Sequence, residues 1–272
     1  MKNAVHMLRS EGGSQMNSFV IETDQGGIIL IDGGYTRDAA DLLEYVKALT
    51  GRSVPHIDAW ILSHVHSDHV EAFIELWTNH RDEFTCDKVY YNFPSVQFVQ
   101  RHEAHEAHTN EEFTRALPCF AAHVCTVTAG DSYEVAGARF DILYTPDPAF
   151  TMNAINNSSI VFRLTLNEKT FMFLGDLGVE AGNKLLDLHG EKLRSDYVQM
   201  AHHGQNGVTL DVYKAISPKA CFWCTPLWLW NNDAGLGYNT HTFRTIEVRE
   251  WMESLGVKTH YVMKDGNITV EI

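Results

Sequence analysis

Ser63-His64-Val65-His66-Ser67-Asp68-His69 follows the apolar run Ile57-Asp-Ala-Trp-Ile-Leu62 and leads into Val70, Phe73, Ile74 and Trp77. The run before it reads as a buried strand, and the i, i+3, i+4, i+7 spacing after it reads as an amphipathic helix. In an extended segment residues two apart point the same way, so His64 and His66 present both imidazoles to one point. Asp68 and His69 follow where the chain turns into the helix and face the same pocket from another angle. Four ligand-type residues within six positions would be wasteful in a core and electrostatically odd on a surface. The alternative is a solvated histidine-rich loop, but the apolar strand and helix on either side anchor the segment. Imidazole with carboxylate oxygen suits zinc, and also iron or manganese.

The same alternation of strand and helix continues outward from this point. Ser18 to Thr23 and Gly27 to Asp32 read as a hairpin, Asp38 to Leu49 as a helix, and Arg101 to Phe113 as a polar helix. Strands are expected at Phe140–Leu143, Ser159–Leu166, Thr170–Leu174 and Tyr197–Ala201, and helices at Asn183–Leu193 and Thr242–Leu255. Lys258 to Ile272 reads as a closing hairpin through Lys264-Asp265-Gly266. This pattern predicts an α/β fold. No long polar linker interrupts it, so residues 1–272 are expected to form one domain.

The charge narrows the partners. The formal net charge is −14, from 35 acidic against 21 basic residues. No basic stripe is visible, which disfavours long nucleic acid and leaves a small-molecule substrate. No segment reaches the roughly 18 apolar residues of a membrane span, and Met1 to Phe19 has no signal-peptide core. The expectation is a soluble, cytoplasmic protein with no membrane partner. Five cysteines, an odd number in a long chain, fit reduced thiols.

Three other patterns are set aside. His102-Glu-Ala-His105 has spacing three where the zinc-protease pair has four, and reads as a solvated polar helix, with a lid or pocket wall as the lesser alternative. Cys221-Phe-Trp-Cys224 lacks a second pair to complete a zinc site and reads as buried thiols on a strand. Trp223, Trp228 and Trp230 read as core or interface, with a cage for a cationic headgroup as the weaker alternative.

The motif His64-Val-His66-Ser-Asp68-His69 after a buried strand resembles the signature of the metallo-β-lactamase superfamily, and the resemblance extends along nearly the whole chain. Leu30-Ile-Asp32-Gly-Gly34 is similar to the family's early strand ending in a structural Asp. Phe171-Met-Phe-Leu-Gly175-Asp176 is similar to the strand whose terminal Asp bridges two metals. Val198-Gln-Met-Ala-His202-His203-Gly204 is similar to the last ligand strand. One family feature is missing: no histidine occupies the stretch from Thr145 to Ile160, where many members have a third ligand for the first metal. Asn156-Asn-Ser, Gly175-Asp176 and His202-His203-Gly204 resemble the subfamily of the competence DNA-uptake channel's soluble hydrolase domain.

The resemblance implies a four-layer αβ/βα sandwich with two divalent metal ions at one edge, zinc foremost, with iron or manganese as alternatives. It implies His64 and His66 on the first metal, Asp68, His69 and His202 on the second, and Asp176 between them. The adjacent pair is not resolved by the sequence: His202 is preferred as the ligand, with His203 then beside the site or as a proton donor, and His241 is expected either against the substrate or its leaving group or in an exposed loop. Asp68 is a ligand or the base that orients water. Without a third histidine the first site is expected to be weaker and to be completed by an Asn, by Asp147 or by water. Two cations roughly 3.5–4 Å apart would activate water and absorb developing charge. The expected activity is hydrolysis of a small phosphodiester. The rivals are a carbon ester, thioester or lactam, and a metal-stabilised binding protein without turnover.

Overall fold

The computed structural model describes residues 2–272, and the alternating strands and helices resolve into two seven-stranded sheets. The first sheet takes β1 (Ala4–Met7), β2 (Ser18–Glu22), β3 (Ile28–Asp32), β4 (His56–Ile61), β5 (Thr85–Tyr91) and β6 (Val124–Thr126). The second takes β7 (Ser132–Val135), β8 (Ala138–Tyr144), β9 (Val161–Leu166), β10 (Lys169–Phe173), β11 (Tyr197–Gln199), β12 (Ala220–Trp223) and β13 (Thr259–Val262). The last strand, β14 (Ile268–Glu271), returns to the first sheet. The orders are β14-β1-β2-β3-β4-β5-β6 and β13-β12-β11-β10-β9-β8-β7.

Period-two burial assembles the layers. Phe171 and Phe173 turn inward to the core between the sheets, where Phe19 meets Phe173 edge-on at 5.2 Å and Phe222 at 5.8 Å. Met172 and Leu174 turn outward and pack with Leu185, Val212, Val248 and Met252 of the helices Val179–His189, Leu210–Ile216 and Thr245–Ser254. On the other side Trp60 meets Phe73 of the helix Ser67–Asn79 at 4.9 Å. Each such fully buried side chain contributes roughly 1.5–3 kcal/mol. Helices thus flank both sheets, and the fold is the αβ/βα sandwich that the sequence implied.

Strands β3 to β6 run parallel, as do β10 to β13, so their carboxyl ends gather at one edge. That edge is where an α/β sheet presents its ligand-binding loops. The loops following β4, β10 and β11 carry His64 to His69, Asp176, and His202-His203 respectively.

Two expectations require correction. Lys258 to Ile272 is not a hairpin: β13 pairs in parallel with β12, whereas β14 pairs antiparallel with β1. A 3-10 turn at Met263–Asp265 and Gly266, at φ 110°, carry the chain from one sheet to the other. The polar helix expected from Arg101 to Phe113 is broken. Helices Val96–His102 and Ala107–Phe120 flank a 3-10 turn at Ala104–Glu106, and Glu103 accepts a hydrogen bond from the Ile155 amide at 2.8 Å.

Candidate metal centre

Asp32 organises the site from beneath. It ends β3 in a left-handed conformation (φ 54°) and is fully buried. Its carboxylate accepts hydrogen bonds from the Ser63 amide, the Ser63 hydroxyl and Asn17 Nδ2, each at 2.7 Å. It also lies 2.7 Å from His69 Nδ1. The His69 proton is thereby held on Nδ1, and Nε2 is turned into the site as a free ligand atom. His64 Nδ1 rests 3.1 Å from the Ser63 hydroxyl, which leaves its Nε2 facing outward.

The second sheet supplies the rest. Gly175, at φ 55°, lets the chain turn sharply after β10; a Cβ there would stand 3.0 Å from Ser159 and 3.1 Å from Ser63. The turn puts Asp176 into the pocket, with its amide donating to the Ser159 hydroxyl at 3.1 Å. Beyond β11, His202 (φ 51°, ψ 49°) and His203 (φ 54°, ψ 21°) are both left-handed. The pair reverses the chain, so that His203 Nδ1 donates to the Cys224 carbonyl at 3.1 Å and Nε2 points inward. Two adjacent non-glycine residues in this region are strained by roughly 1–2 kcal/mol each.

Two triads of ligand atoms result: His64, His66 and Asp176, and Asp68, His69 and His203, each with its atoms within 4.8 Å of one another. His64 Nε2 lies 3.1 Å from His66 Nδ1. His203 Nε2 lies 3.0 Å from Asp68 and 3.2 Å from Asp176. Asp176 also stands 3.3 Å from His69 Nε2 and 3.9 Å from His64 Nε2, between the two triads. Two donors on one tetrahedral zinc lie about 3.3 Å apart. The nearer separations match that edge length. His69 Nε2, His203 Nε2 and Asp176 Oδ1 are buried and without hydrogen-bond partners, as ligand atoms would be. The residues therefore fit divalent metal.

The electrostatics agree. Burial works against protonation of His69, but Asp176, Asp32 and Asp68 hold its imidazole well above the ordinary histidine value. Burial likewise opposes protonation of His203, yet Asp176 and Asp68 raise it to about 9. Burial works to raise Asp176, but His203 and His69 hold its carboxyl well below the usual range. Burial, with His69 beside it, pushes His64 well down. Protons on His69 and His203 thus take the place that a cation would fill.

The expected residues divide accordingly. His64, His66, Asp68, His69 and Asp176 come together. The order expected for the adjacent histidines is reversed in space: His203 lies among the ligand atoms, while His202 stands at the rim with its Nε2 3.9 Å from Asp176. The left-handed pair is the cause. His241 is not brought to the site. It stacks on Phe243 at 3.8 Å, in a loop that the buried Asn232 ties down through the His241 and Phe243 carbonyls. Asp147 is engaged by Lys184, away from the ligands. Trp228 packs near His241 and Phe243 and lines no cage at the site.

A cavity of about 300 Å³ opens over the triads. Besides His66, Asp68, Asp176 and His202, its walls include Gln15, Tyr35 and Asn156, and the segment Glu103, His105 and Glu106. That last segment, expected as a solvated helix, is a pocket wall because the break at Glu103 folds it over the site. Burial and the nearby Asp68 raise the Tyr35 hydroxyl, so it stays protonated. Sequence reasoning missed Tyr35, although it closely follows Asp32-Gly-Gly.

Residues 12–220 match the profile of a family described as the metallo-beta-lactamase superfamily. Over 178 residues the chain is 26% identical to ComE operon protein 3 of Bacillus subtilis (strain 168). That match covers 64% of this chain and 20% of the relative, so the chain spans about a fifth of the relative's length. The fold is similar to the metallo-beta-lactamase fold protein YhfI of Bacillus subtilis, with a TM-score of 0.58 and 12% identity over 99% of this chain and 100% of that one. It is also similar to CmlA, a diiron beta-hydroxylase from Streptomyces venezuelae, with a TM-score of 0.59 and 11% identity over 100% of this chain and 54% of that one. At these identities the likenesses show the fold alone.

Proposed function

The chain belongs to the metallo-beta-lactamase superfamily, and from that premise we propose that it is a metal-dependent hydrolase acting on a small phosphodiester. The observation that carries the proposal is the pair of facing triads with Asp176, a member of the first, within 3.3 Å of His69 and His203 of the second, and partnerless buried nitrogens on His69 and His203. We assign His64, His66 and Asp176 to one divalent ion and Asp68, His69, His203 and Asp176 to the other. Bound there, two divalent ions would supply Lewis acidity toward water and a phosphoryl oxygen. Zinc, iron and manganese all suit the donor set.

The remaining roles belong to the chain. Asp68 accepts a proton from attacking water through Oδ1, which lies 3.9 Å from His69, while Oδ2 lies 3.0 Å from His203. The Tyr35 hydroxyl donates a hydrogen bond to a substrate oxygen. Burial lowers the His202 imidazole, so it meets the leaving group as a neutral hydrogen-bonding partner. Asp32 positions His69 and touches no substrate.

Pocket charge selects the substrate class. The wall contains four carboxylates (Asp68, Glu103, Glu106 and Asp176) and neither Lys nor Arg. Two divalent ions would bring this to near neutrality, enough to hold a singly charged diester. A dianionic monoester or a polyanion finds no further cation there. The same wall favours, as a second reading, an uncharged carbon ester or lactam. About 300 Å³ is at the small end of ligand pockets and suits a small molecule.

The test is cleavage of bis(p-nitrophenyl) phosphate against p-nitrophenyl acetate, with chelated protein and Asp176→Asn as controls. Diester cleavage lost in both controls supports the proposal. Metal-loaded protein that cleaves only the acetate moves the assignment to carbon esters, and one that cleaves neither overturns both.

A further inference from the structure

The stretch Asn156-Asn157-Ser158-Ser159 enters the pocket edge just before β9. It is pinned there by the Ile160 amide, which donates to the Ser63 carbonyl at 2.8 Å, beside His64. Three of its four side chains are committed to the protein itself. Asn157 Nδ2 donates to the Met152 carbonyl at 2.9 Å, and its Oδ1 accepts from the Ala181 amide at 3.3 Å. Ser158 donates to the Ala154 carbonyl at 2.7 Å, and Ser159 accepts from the Asp176 amide. Asn156 differs. Its Nδ2 donates to Asn153 Oδ1 at 3.0 Å, which fixes the amide plane, and its Oδ1 is left buried with no partner. The residue is 3% exposed and lines the cavity with His66, Asp176 and His202. Leaving a buried carbonyl oxygen without a donor is unfavourable, and no protein donor at this site offsets that.

We propose that Asn156 Oδ1 is the remaining protein ligand of the ion held by His64, His66 and Asp176. This rests on the dinuclear reading above and deepens it. An amide oxygen is a hard, neutral donor, so the first site becomes two imidazoles with two oxygens. Relative to a third imidazole, that set moves preference from zinc toward manganese or iron(II). The two sites also differ in charge. The second holds Asp68 in addition to the shared Asp176, whereas the first shares Asp176 alone, so the second fills first.

The test is metal binding, with turnover set aside. Wild type, Asn156→Ala and Asn156→His are titrated with zinc and with manganese by calorimetry, with metal content measured after gel filtration and folding checked by circular dichroism. Wild type should bind two ions in two steps. Asn156→Ala should keep the tighter step and weaken the other about tenfold or more. Asn156→His should restore two-ion binding and shift the weaker step toward zinc over manganese. It also keeps the proposal falsifiable if Asn156→Ala does not fold. Either variant binding both ions with wild-type affinity and preference overturns the role of Asn156 alone. Wild type that binds only one ion, or none, overturns the dinuclear reading with it.

Discussion

Asp32 Oδ2 and His69 Nδ1 stand 2.7 Å apart, both residues fully buried, and nothing else in the site is held by as many hydrogen bonds as this carboxylate. It lies in the layer beneath the ligands, so replacing it should affect folding and metal affinity together. Asp32→Ala strands the donors of Ser63, Asn17 and His69, and should destabilise the protein by roughly 3–5 kcal/mol in urea unfolding. Asp32→Asn keeps the volume but loses an acceptor. It should cost about 1–3 kcal/mol and weaken metal binding roughly 10–100-fold. Unchanged affinity in a folded Asp32→Asn protein would show that His69 orients itself without help.

The adjacent histidines should separate by experiment. His203→Ala removes an atom from the inner triad, so metal content should drop by about one ion per chain. His202→Ala touches the rim, so the protein should keep its metal and lose turnover by roughly 10-fold, the effect of one lost hydrogen bond to the leaving group. Metal analysis of the two variants decides the assignment; loss of an ion from His202→Ala would reverse it.

Metal affinity should depend on pH well above the range usual for histidine ligands. Without metal, His203 holds its proton up to about 9, and His69 is raised as well. A ligand imidazole must be neutral, so the ion held by Asp68, His69 and His203 displaces these protons when it binds. The apparent affinity for that ion should therefore climb as pH rises toward about 9. The metal-free protein behaves oppositely: the raised His203 value contributes stability fully below pH 6.5, and it is lost as pH rises through about 9. Calorimetry in two buffers of different ionisation enthalpy reads the released protons, and affinity that is flat across this window would exclude the charged pair.

Glu106 projects from the broken helix into a wall that has no cation. Glu106→Lys should lower KM for the dianionic p-nitrophenyl phosphate more than for the monoanionic diester. Glu106→Gln should do the same to a smaller extent, since it removes one negative charge without adding a positive one. If the ratio of the two KM values does not move in either variant, the segment does not face the substrate.

His64 to His69 could be read because an apolar strand ends in four ligand-type residues, whereas Asp176, by itself an ordinary turn residue after a strand, stood out only through its resemblance to the family's bridging Asp. His202 and His203 could not be ordered, because the choice depends on two consecutive left-handed residues that carry no glycine signal. The wall at Glu103 to Glu106 was only the lesser alternative because its composition is helix-like, and Glu103 at the break is held by a hydrogen bond from Ile155, a partner distant in sequence. The same holds for β14, whose partner β1 lies at the opposite end of the chain. Asn156 was visible as part of Asn156-Asn157-Ser158-Ser159, but the other three of those four polar side chains are committed to the protein's own hydrogen bonds, and only packing distinguishes the one whose oxygen is not.

The spacing of the ligands along the chain has a consequence for assembly. Four of them lie within six positions, while Asp176 and His203 arrive more than 100 residues after His69. The local group survives in an unfolded chain and can chelate a metal by itself, whereas the full set exists only once both sheets have docked and the long loop between them has closed. Metal present during refolding then has two competing destinations, and binding to the unfolded chain erodes the stabilisation that the finished site would provide. For this topology the order of events matters: a chain that folds first and meets its metal afterwards avoids a trap that its own His64–His69 segment sets.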